Sequence, residues 1–540
     1  MKIVRSLPAL VLLLAIALRG LLLEYSDLID PTEARYAAVA EEMVLRDDWV
    51  TPRLPMPEGV VPYLGKPPLH FWLTAASYRL FGIDEWTARL PSFIANGVIL
   101  VVVMVLAFGA GGWPTALAAV LILFSSIMTF FLAGASVVDV TLSAWITLGL
   151  LCLYRAATGE PVRYGLGAVA AMAGAFMTKG PIGVVLTMLP YLLWCGWRRD
   201  LTSVRRLPWG WGILLFTALV TPWFVLLEMR NPGAAWYFFW NENVARFLMR
   251  DYGDLYGSGH VEPHGMSWLF WLVNFLPWTF ILAWSVVRLG RSKVREMIRE
   301  MPALTFFICW AVSAPLFFTF VRQLHAMYIL PAMPGLALVT AVLCGHAFDM
   351  AALDRYRRAA PVLASVCLGI WAILLLVAAV LEFQWPAMLL GLLLAAGGGA
   401  VLRRTIRIEG ALGPITGLAV GCLTAWLVGL AALTPHVDIY RSAEVALRRI
   451  ADHPWGGSGP PHVGVIGHNT YSPNWAAGAW QSELSRQVSI VFLTPGVVSP
   501  DLDYLMVKSK QDISLPPEFK NFHSIGRTGR WLLFSRASTL

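Results

Sequence analysis

The sequence predicts an all-α polytopic membrane bundle with a small C-terminal α/β domain outside the membrane. Hydrophobic residues make up 57% of the 540 residues and charged residues only 14%, whereas a soluble domain has about 45–50% and about 25%. Apolar stretches near the roughly 20 residues that a helix needs to cross a bilayer recur along the chain. Tryptophan, which favours the headgroup region, occurs 24 times. Lipid must therefore solvate much of this chain.

We predict about thirteen spans from these apolar stretches. They cover residues 7–23, 91–109, 114–132, 137–154, 164–178, 181–197, 209–228, 267–288, 303–321, 327–347, 361–381, 386–402 and 411–433. The stretch 164–178 is short and glycine-rich, which leaves a broken helix open as an alternative. The first span also resembles a cleaved signal peptide weakly at Ala15 and Ala17, but its length and the following Arg19 favour an uncleaved helix.

The distribution of basic residues predicts the orientation. With the N-terminus in the cytoplasm, the inner connections carry nineteen Lys and Arg, and the short outer connections carry only Lys179 and Arg322. Three long segments then lie outside, 24–90, 229–266 and 434–540. The predicted division is a transmembrane domain over 1–433 and an outer α/β domain over 434–540.

The charge pattern excludes a nucleic-acid-binding protein, and the cysteines give no sign of a disulfide framework. The net charge of +8 is spread over short clusters between the spans, so it forms no patch for nucleic acid. The six cysteines lie in or beside apolar stretches without a pairing pattern. We interpret them as small buried apolar residues.

The outer segments contain recognisable elements. Asp30 at the N-cap, Pro31 at N1 and Glu33 at N3 predict a helix that runs to about Arg46 and lies in the membrane interface. Its polar face is expected to carry Glu41, Glu42 and Arg46. A second, apolar helix is expected from about Pro67 to Leu80. In the tail we predict a helix over Ser442–Ala451 and strands over His462–Gly467, Val488–Leu493, Tyr504–Lys508 and Trp531–Ser535.

Ionisable residues near membrane depth are the candidates for function. Six of them fall on the outer side in this topology: Glu33, Lys66, Asp139, Lys179, Arg322 and His325. Cations can neutralise a phosphate leaving group, and a carboxylate can take the proton of an acceptor hydroxyl.

Each candidate also has a structural explanation. Asp30 and Glu33 could serve simply to cap a helix, and Lys66 could extend its ammonium group to the lipid headgroups. Lys179 could end a helix, and Arg322 and His325 could be interface anchors. Asp139 follows an apolar stretch without a neighbouring charge, so a purely structural role is hardest to defend there.

An ordered set of motifs resembles the ArnT-like aminoarabinose transferases, within the protein mannosyltransferase group of the GT-C glycosyltransferases. The set spans roughly residues 1–340. It comprises Asp30-Pro31-Thr32-Glu33-Ala34-Arg35-Tyr36-Ala37, Asp48-Trp49-Val50-Thr51-Pro52, Lys66-Pro67-Pro68-Leu69-His70-Phe71-Trp72, Asp139, Met177-Thr178-Lys179-Gly180, Pro222-Trp223, Trp236-Tyr237-Phe238-Phe239-Trp240, Leu276-Pro277-Trp278 and Tyr328-Ile329-Leu330-Pro331.

The resemblance implies an inner-membrane enzyme with a periplasmic active site. Its donor would be an undecaprenyl-phosphate-linked sugar, and it would modify lipid A or another envelope acceptor with inversion at the anomeric carbon. Glu33 and Asp139 match carboxylates near the reaction centre, Lys66 a phosphate-binding lysine and Lys179 a motif lysine. Arg35, Tyr36, Arg322 and His325 are further candidates for substrate binding.

Three departures from the family pattern leave alternatives open. Thr32-Glu33 replaces the usual Asp-Glu, so the base is Glu33, Asp139 or Asp30. Gly65 replaces a Glu before the lysine, so no metal site is predicted. Arg322–His325 replaces a Lys-Leu-Pro sequence, so the sugar and the acceptor need not be aminoarabinose and lipid A.

Other functions remain as alternatives. They are a protein O-mannosyltransferase-like enzyme for a protein or another glycan, a transporter of lipid-linked sugars, and a non-catalytic envelope protein. A transporter is less favoured because transporters bind their substrates near the midplane between repeated halves, and this chain has no visible repeat.

Overall fold

The fold is that of a computed structural model. It describes residues 2–24, 28–29, 31–56, 59–159, 161–246, 256, 261–349, 411–430, 442–453, 461–466, 489–492, 502–508, 515, 519, 521–528 and 531–536. The predicted spans 361–381 and 386–402, and the candidate residue Asp30, lie outside the described residues.

Helices dominate the described part of the first 430 residues. They are α1 (Lys2–Leu21), α2 (Thr32–Arg46), α3 (Leu69–Phe81), α4 (Glu85–Ser125), α5 (Ile127–Leu132), α6 (Val138–Thr158), α7 (Pro161–Lys179), α8 (Pro181–Arg198), α9 (Thr202–Arg205), α10 (Trp209–Arg230), α11 (Ala234–Trp236), a π-helix (Tyr237–Ala245), α12 (Met266–Asn274), α13 (Trp278–Glu300), α14 (Pro302–Phe318), a 3₁₀ helix (Ala326–Ala332), α15 (Met333–Asp349) and α16 (Leu412–Val428). A hairpin of β1 (Arg53–Met56) and β2 (Gly59–Pro62) lies between α2 and α3.

Several helices are long and apolar enough to cross a membrane. Among the described residues these are α4, α6, α10 and the continuous segment Ala326–Phe348, while α12 and α13 form a fifth candidate span bent by 94°. The chain is therefore an integral membrane protein. Shorter apolar helical segments cover Ser6–Leu21, Pro302–Phe318 and Leu412–Leu427, consistent with the predicted positions.

The glycine-rich stretches mark helix boundaries. α4 leaves helical geometry at Gly111 and Gly112, between the predicted spans 91–109 and 114–132. The alternative of a broken helix over 164–178 is wrong, because α7 runs without interruption from Pro161 to Lys179. α8 begins at Pro181. Gly180 between them has φ +82°, which glycine adopts without strain.

The main core lies between the spans and uses small residues for close approach. Trp194, Trp278 and Trp310 are fully buried in it. A Cβ on Gly335 of α15 would come within 2.7 Å of the backbone nitrogen of Ala311 in α14. Such contacts let helix backbones pack closely inside a bilayer.

Helix α2 is packed more deeply than its sequence suggests. Its predicted end at Arg46 is confirmed, and it begins at Thr32 directly after Pro31. The predicted N-cap residue Asp30 lies outside the described residues. Glu41 was expected on a polar face and is instead only 4% exposed. Burial, with the charge of Glu42 adding, raises the pKa of Glu41 to about 8.

The tail contains a five-stranded sheet with the order β4-β3-β5-β7-β6. The strands are β3 (His462–Ile466), β4 (Ser489–Phe492), β5 (Tyr504–Lys508), β6 (Phe522–Thr528) and β7 (Trp531–Arg536). β3 pairs in parallel with β4 and β5, while β7 is antiparallel to β5 and β6. Helix α17 (Ser442–Ala451) packs against β6 and β7. The four predicted strands and the helix are present, and β6 was not predicted.

Candidate active site

Asp139 and Lys179 join the ends of two neighbouring helices. Asp139 lies in the first turn of α6, and Lys179 is the last residue of α7. Lys179 Nζ donates to Asp139 Oδ1 at 2.6 Å, and it lies 3.8 Å from the centre of the Tyr328 ring. A negative charge at a helix N-terminus and a positive charge at a C-terminus are both favoured by the helix dipoles. The helices therefore hold an ion pair at one end of the bundle.

A second charged group forms around Glu242 in the π-helix. Lys66 Nζ donates to Glu242 Oε2 at 3.3 Å, and Arg246 donates to the same oxygen at 3.0 Å. The hydroxyl of Tyr237 donates to the other oxygen at 3.3 Å. Arg246 also donates to the side-chain oxygen of Gln323 at 2.7 Å. One buried carboxylate thus holds two cations that come from distant parts of the sequence.

The two groups line the same cavity, whose volume is about 50 Å³. Its charged residues are Lys66, Asp139, Lys179, Glu242 and Arg246. The remaining residues of its wall are Leu142, Ile182, Leu186, Asn243, Phe318, Gln323 and Tyr328. Three cations and two carboxylates around one cavity can bind an anion and accept a proton beside it.

The protonation states around the cavity follow from burial and charge. Burial raises the pKa of Glu242, but the charges of Lys66 and Arg246 outweigh burial and hold the pKa below its ordinary value. Burial raises the pKa of Tyr36 well above its ordinary value, and the charge of Asp139 adds to this. Tyr36 therefore remains a hydrogen-bond donor near Asp139, while Glu242 remains charged.

His70 is a neutral base buried close by. Its Nδ1 lies 2.9 Å from Thr141 Oγ1, and its Nε2 has no hydrogen-bond partner in the structure. Burial lowers the pKa of His70 to about 4, against the opposing charge of Asp139. The imidazole is consequently uncharged at neutral pH.

Glu33 lies away from the cavity wall. Its oxygens accept from Arg89 at 3.1 and 3.3 Å, from the backbone nitrogen of Ile29 at 3.0 Å and from that of Ser136 at 2.7 Å. Both oxygens are therefore occupied. This arrangement ties α2 to α4 and to the turn before α6.

The other predicted residues divide into two sets. Tyr36 packs against His70 and Phe71 near the cavity, and the charge of Arg35 acts on Tyr36. Arg322 donates to His264 Nε2 at 3.1 Å on the exposed surface, and His325 accepts from the backbone of Met327. Neither Arg322 nor His325 lines the cavity.

Sequence reasoning missed Glu242, Asn243, Arg246, Gln323 and Tyr328 as site residues. The available signal was the position of Glu242 and Arg246 shortly after the aromatic run Trp236–Trp240, in a long segment between two predicted spans. Neither residue could be connected with Lys66 by sequence spacing, since 176 positions separate Glu242 from Lys66.

Position 65 carries glycine where the resembling family often has Glu, and another carboxylate occupies the neighbouring space. A Cβ on residue 65 would lie 3.5 Å from Glu242 Oε1. A carboxylate therefore reaches this place from the π-helix. Within the described ranges, no three His, Cys, Asp or Glu side chains gather in a way that could hold a metal ion.

Comparisons with known proteins agree on one group. The family model described as "Dolichyl-phosphate-mannose-protein mannosyltransferase" matches residues 65–225. An undecaprenyl phosphate-alpha-4-amino-4-deoxy-L-arabinose arabinosyl transferase of Shewanella sediminis is 29% identical over 346 residues, which cover 62% of this chain and 59% of the relative. The protein of the same name from Yersinia enterocolitica is 28% identical over 369 residues, or 65% of this chain and 62% of the relative. The matches thus span about three fifths of these relatives.

Solved structures share the fold over nearly the whole chain. ArnT from Cupriavidus metallidurans bound to undecaprenyl phosphate aligns with a TM-score of 0.74 at 22% identity, covering 98% of this chain and 97% of that one. Its apo form aligns with a TM-score of 0.73. At this level of identity the likeness shows that the two chains have a common fold.

Proposed function

We propose that this ArnT-like protein of the GT-C fold is a glycosyltransferase that takes its sugar from a polyprenyl phosphate, most simply undecaprenyl phosphate. The acceptor is lipid A or another envelope molecule. The observation that supports this most is the cavity where Lys66, Lys179 and Arg246 face Asp139 and Glu242. The names of the relatives, which specify an undecaprenyl phosphate donor, support the same donor class.

The cations suit the phosphate of the donor. In the reaction an acceptor hydroxyl attacks the anomeric carbon, and the bond between that carbon and the phosphate oxygen breaks. The polyprenyl phosphate leaves with the electron pair, and configuration is inverted. We propose that Lys66 and Arg246, which both pair with Glu242, neutralise the negative charge that grows on the leaving phosphate.

We propose Asp139 as the general base in preference to Glu33, while the third candidate, Asp30, lies outside the described residues. Asp139 lines the cavity and has a hydrogen bond with Lys179 on one oxygen, whereas both oxygens of Glu33 are occupied by four donors. Taking up a proton at Glu33 would disrupt its pair with Arg89. We therefore assign Glu33 a positioning role.

Glu242 is proposed as the residue that arranges the phosphate-binding cations. Its carboxylate lies beside Gly65. At this position the ArnT-like transferases often carry a Glu. The acid is supplied here from the π-helix rather than from the chain just before Lys66. Arg35 and Tyr36 are proposed to contact substrate from α2.

We further propose the topology that the basic residues predict. Thirteen spans place the N-terminus in the cytoplasm of a bacterium and the cavity and the tail on the periplasmic side of its inner membrane. The division into a membrane domain over 1–433 and a periplasmic α/β domain over 434–540 is part of this proposal.

Mass spectrometry of envelope glycans with and without the gene tests the proposal. Loss of a pentosamine-sized or hexose-sized increment from lipid A in the deletion strain, restored by the wild-type gene, is the expected result. If the increment is lost from a protein or another glycan, the protein is still a glycosyltransferase but its acceptor is not lipid A, as in the O-mannosyltransferase alternative. No change in any acceptor, in cells that make the protein, contradicts the proposal.

A further inference from the structure

A second cavity lies at the end of the bundle opposite the candidate active site. Its volume is about 490 Å³, within the range of about 300–1,000 Å³ typical of ligand pockets. α8 connects the two regions, since it begins at Pro181 beside the active cavity and ends at Arg198 in the second one. At 1.5 Å per residue the two ends of α8 are roughly 26 Å apart. The second cavity therefore faces the other leaflet of the membrane.

Three guanidinium groups from two helices line this cavity. Arg198 comes from the last turn of α8, and Arg295 and Arg299 come from the second half of α13. Arg198 is held over the ring of Trp194 at 4.7 Å. In the part of the chain that the structure describes, no ion pair joins any of the three to a carboxylate.

The acids that lie close to these arginines in the sequence interact with other groups. Glu296 pairs with Lys293, and the charge of Glu300 also acts on Lys293. Asp200 accepts from the side chains of Thr202 and Ser203. The cavity therefore keeps a positive charge that these carboxylates do not neutralise.

The backbone adds to the attraction for an anion. α14 begins at Pro302 on the cavity wall, so the positive end of a 17-residue helix lies there. The indole nitrogen of Trp194 donates to the carbonyl of Pro302 at 3.1 Å, and Thr305 donates to the carbonyl of Ile298 at 3.0 Å. These bonds join α8, α13 and α14 around the cavity.

One side of the cavity is apolar. Trp197 is 65% exposed and Ile298 lies beside the arginines. Tryptophan at a helix end favours the depth of the lipid headgroups and the glycerol backbone. Arginine matches the geometry of phosphate oxygens, and basic pockets between membrane helices can bind anionic headgroups.

We propose that this arginine pocket binds the phosphate headgroup of an anionic phospholipid from the leaflet opposite the active site. The phosphate lies among Arg198, Arg295, Arg299 and the N-terminus of α14, and the acyl chains leave past Trp197 into the bilayer. The bound lipid joins α8 to the α13–α14 turn and thereby stabilises the bundle. The site is distinct from sugar transfer and does not require it.

Thermal unfolding of the purified, delipidated full-length protein in detergent tests the site. The pocket variant is the double substitution Arg295→Gln, Arg299→Gln. The matched control is Arg205→Gln, Arg206→Gln, which removes the same charge from exposed arginines that do not line the cavity. Added phosphatidylglycerol is expected to raise Tm of the wild type and of the control by several degrees, and to raise Tm of the pocket variant by much less.

Two further arms identify the ligand. Phosphatidylcholine, which has no net charge, and inorganic phosphate at matched concentration are expected to leave Tm unchanged. Native mass spectrometry should show one phosphatidylglycerol fewer on the pocket variant than on the control. Equal stabilisation of the two variants overturns the site. If inorganic phosphate stabilises the protein as much as phosphatidylglycerol does, the proposal of a lipid ligand is wrong and the pocket is a site for free phosphate.

Discussion

Two buried carboxylates that look equivalent in the sequence have different surroundings. Glu33 accepts four hydrogen bonds and is paired with Arg89, so its oxygens have no capacity for chemistry. Asp139 has one strong partner, Lys179, and borders the cavity. The sequence left both as candidates for the base because their partners lie 56 and 40 positions away in the chain. The two residues can be distinguished only in the folded structure, where the helices bring each carboxylate to its partners.

Substituting these two residues should give opposite results in the transfer activity of the folded protein. Asp139→Asn removes the base, so we expect sugar transfer per folded protein to fall by about 100-fold or more. It also leaves Lys179 without its buried counter-charge, so Tm should fall as well. Glu33→Gln leaves Arg89 buried without a counter-charge, which costs about 3–5 kcal/mol of folding stability. Transfer assays on purified variants, normalised to folded protein, measure both effects. Normal transfer by folded Asp139→Asn together with inactivity of folded Glu33→Gln would show that Glu33 is the base.

Glu242 gives a prediction about pH. Because its pKa is depressed in the folded state, the ionised carboxylate stabilises the protein above the ordinary glutamate pKa, and this stability is lost as pH falls through the lower folded value. Glu242→Gln leaves Lys66 and Arg246 close together, so we expect a lower Tm than the wild type at pH 7 and a smaller difference near pH 4.

The control for this experiment is Glu42→Gln. Glu42 pairs with Arg46 at the surface of α2, where an ion pair contributes little. Its Tm should follow that of the wild type at both values of pH. A difference between Glu242→Gln and wild type that is the same at pH 7 and pH 4 would exclude the proposed charge interaction.

At the scale of elements, local patterns were sufficient for some features and insufficient for others. The end of α2 at Arg46, the start of α8 at Pro181 and strand β5 follow from proline, glycine and apolar patterning. The burial of Glu41 and the position of the π-helix do not, because both depend on contacts with segments distant in the chain. The same limitation applies to the site, where Lys66, Asp139 and Lys179 were predicted and Glu242 and Arg246 were not.

Gly180 connects the helix turn with the π-helix. A Cβ at this position would come within 2.6 Å of Phe238 Cζ, and the residue has φ +82°. Gly180→Ala should therefore displace the π-helix that carries Glu242 and lower transfer by about 10-fold or more.

Gly82→Ala is the control that separates the effect of backbone strain from the effect of displacing the π-helix. Gly82 has φ +91°, and a Cβ there would meet no atom within 4 Å. Both alanine variants should lose about 1 kcal/mol of stability from backbone strain, measured by thermal unfolding, and only Gly180→Ala should lose transfer activity. Equal activity of the two variants would contradict the link between Gly180 and the π-helix.

At the scale of the whole molecule, opposite ends of the bundle have different chemistry. One end holds the cavity with both cations and carboxylates, and the other holds the arginine pocket. Such an asymmetry fits an enzyme that meets a charged donor on one side of the membrane and is oriented by basic residues on the other. The composition was sufficient to predict a membrane bundle, while the meeting of charges from four separate segments of the chain could be seen only in the fold.

The proposed orientation can be measured with reporters fused after residue 206 and at the C-terminus. We expect a cytoplasm-dependent fluorescent protein to be active only after residue 206, and a periplasm-dependent phosphatase to be active only at the C-terminus. If each reporter behaves alike at the two sites, the result contradicts the odd number of spans that we propose between residue 206 and the tail.

The most direct measurement of the central claim is transfer by the purified protein in liposomes. The liposomes would contain an undecaprenyl-phosphate-linked sugar and lipid A, with products followed by mass spectrometry. Our account predicts that the wild type releases undecaprenyl phosphate in equal amount to glycosylated acceptor, and that Asp139→Asn releases neither. If the donor instead remains intact and crosses the bilayer when the protein is present, the protein is a transporter and the proposed glycosyl transfer is wrong.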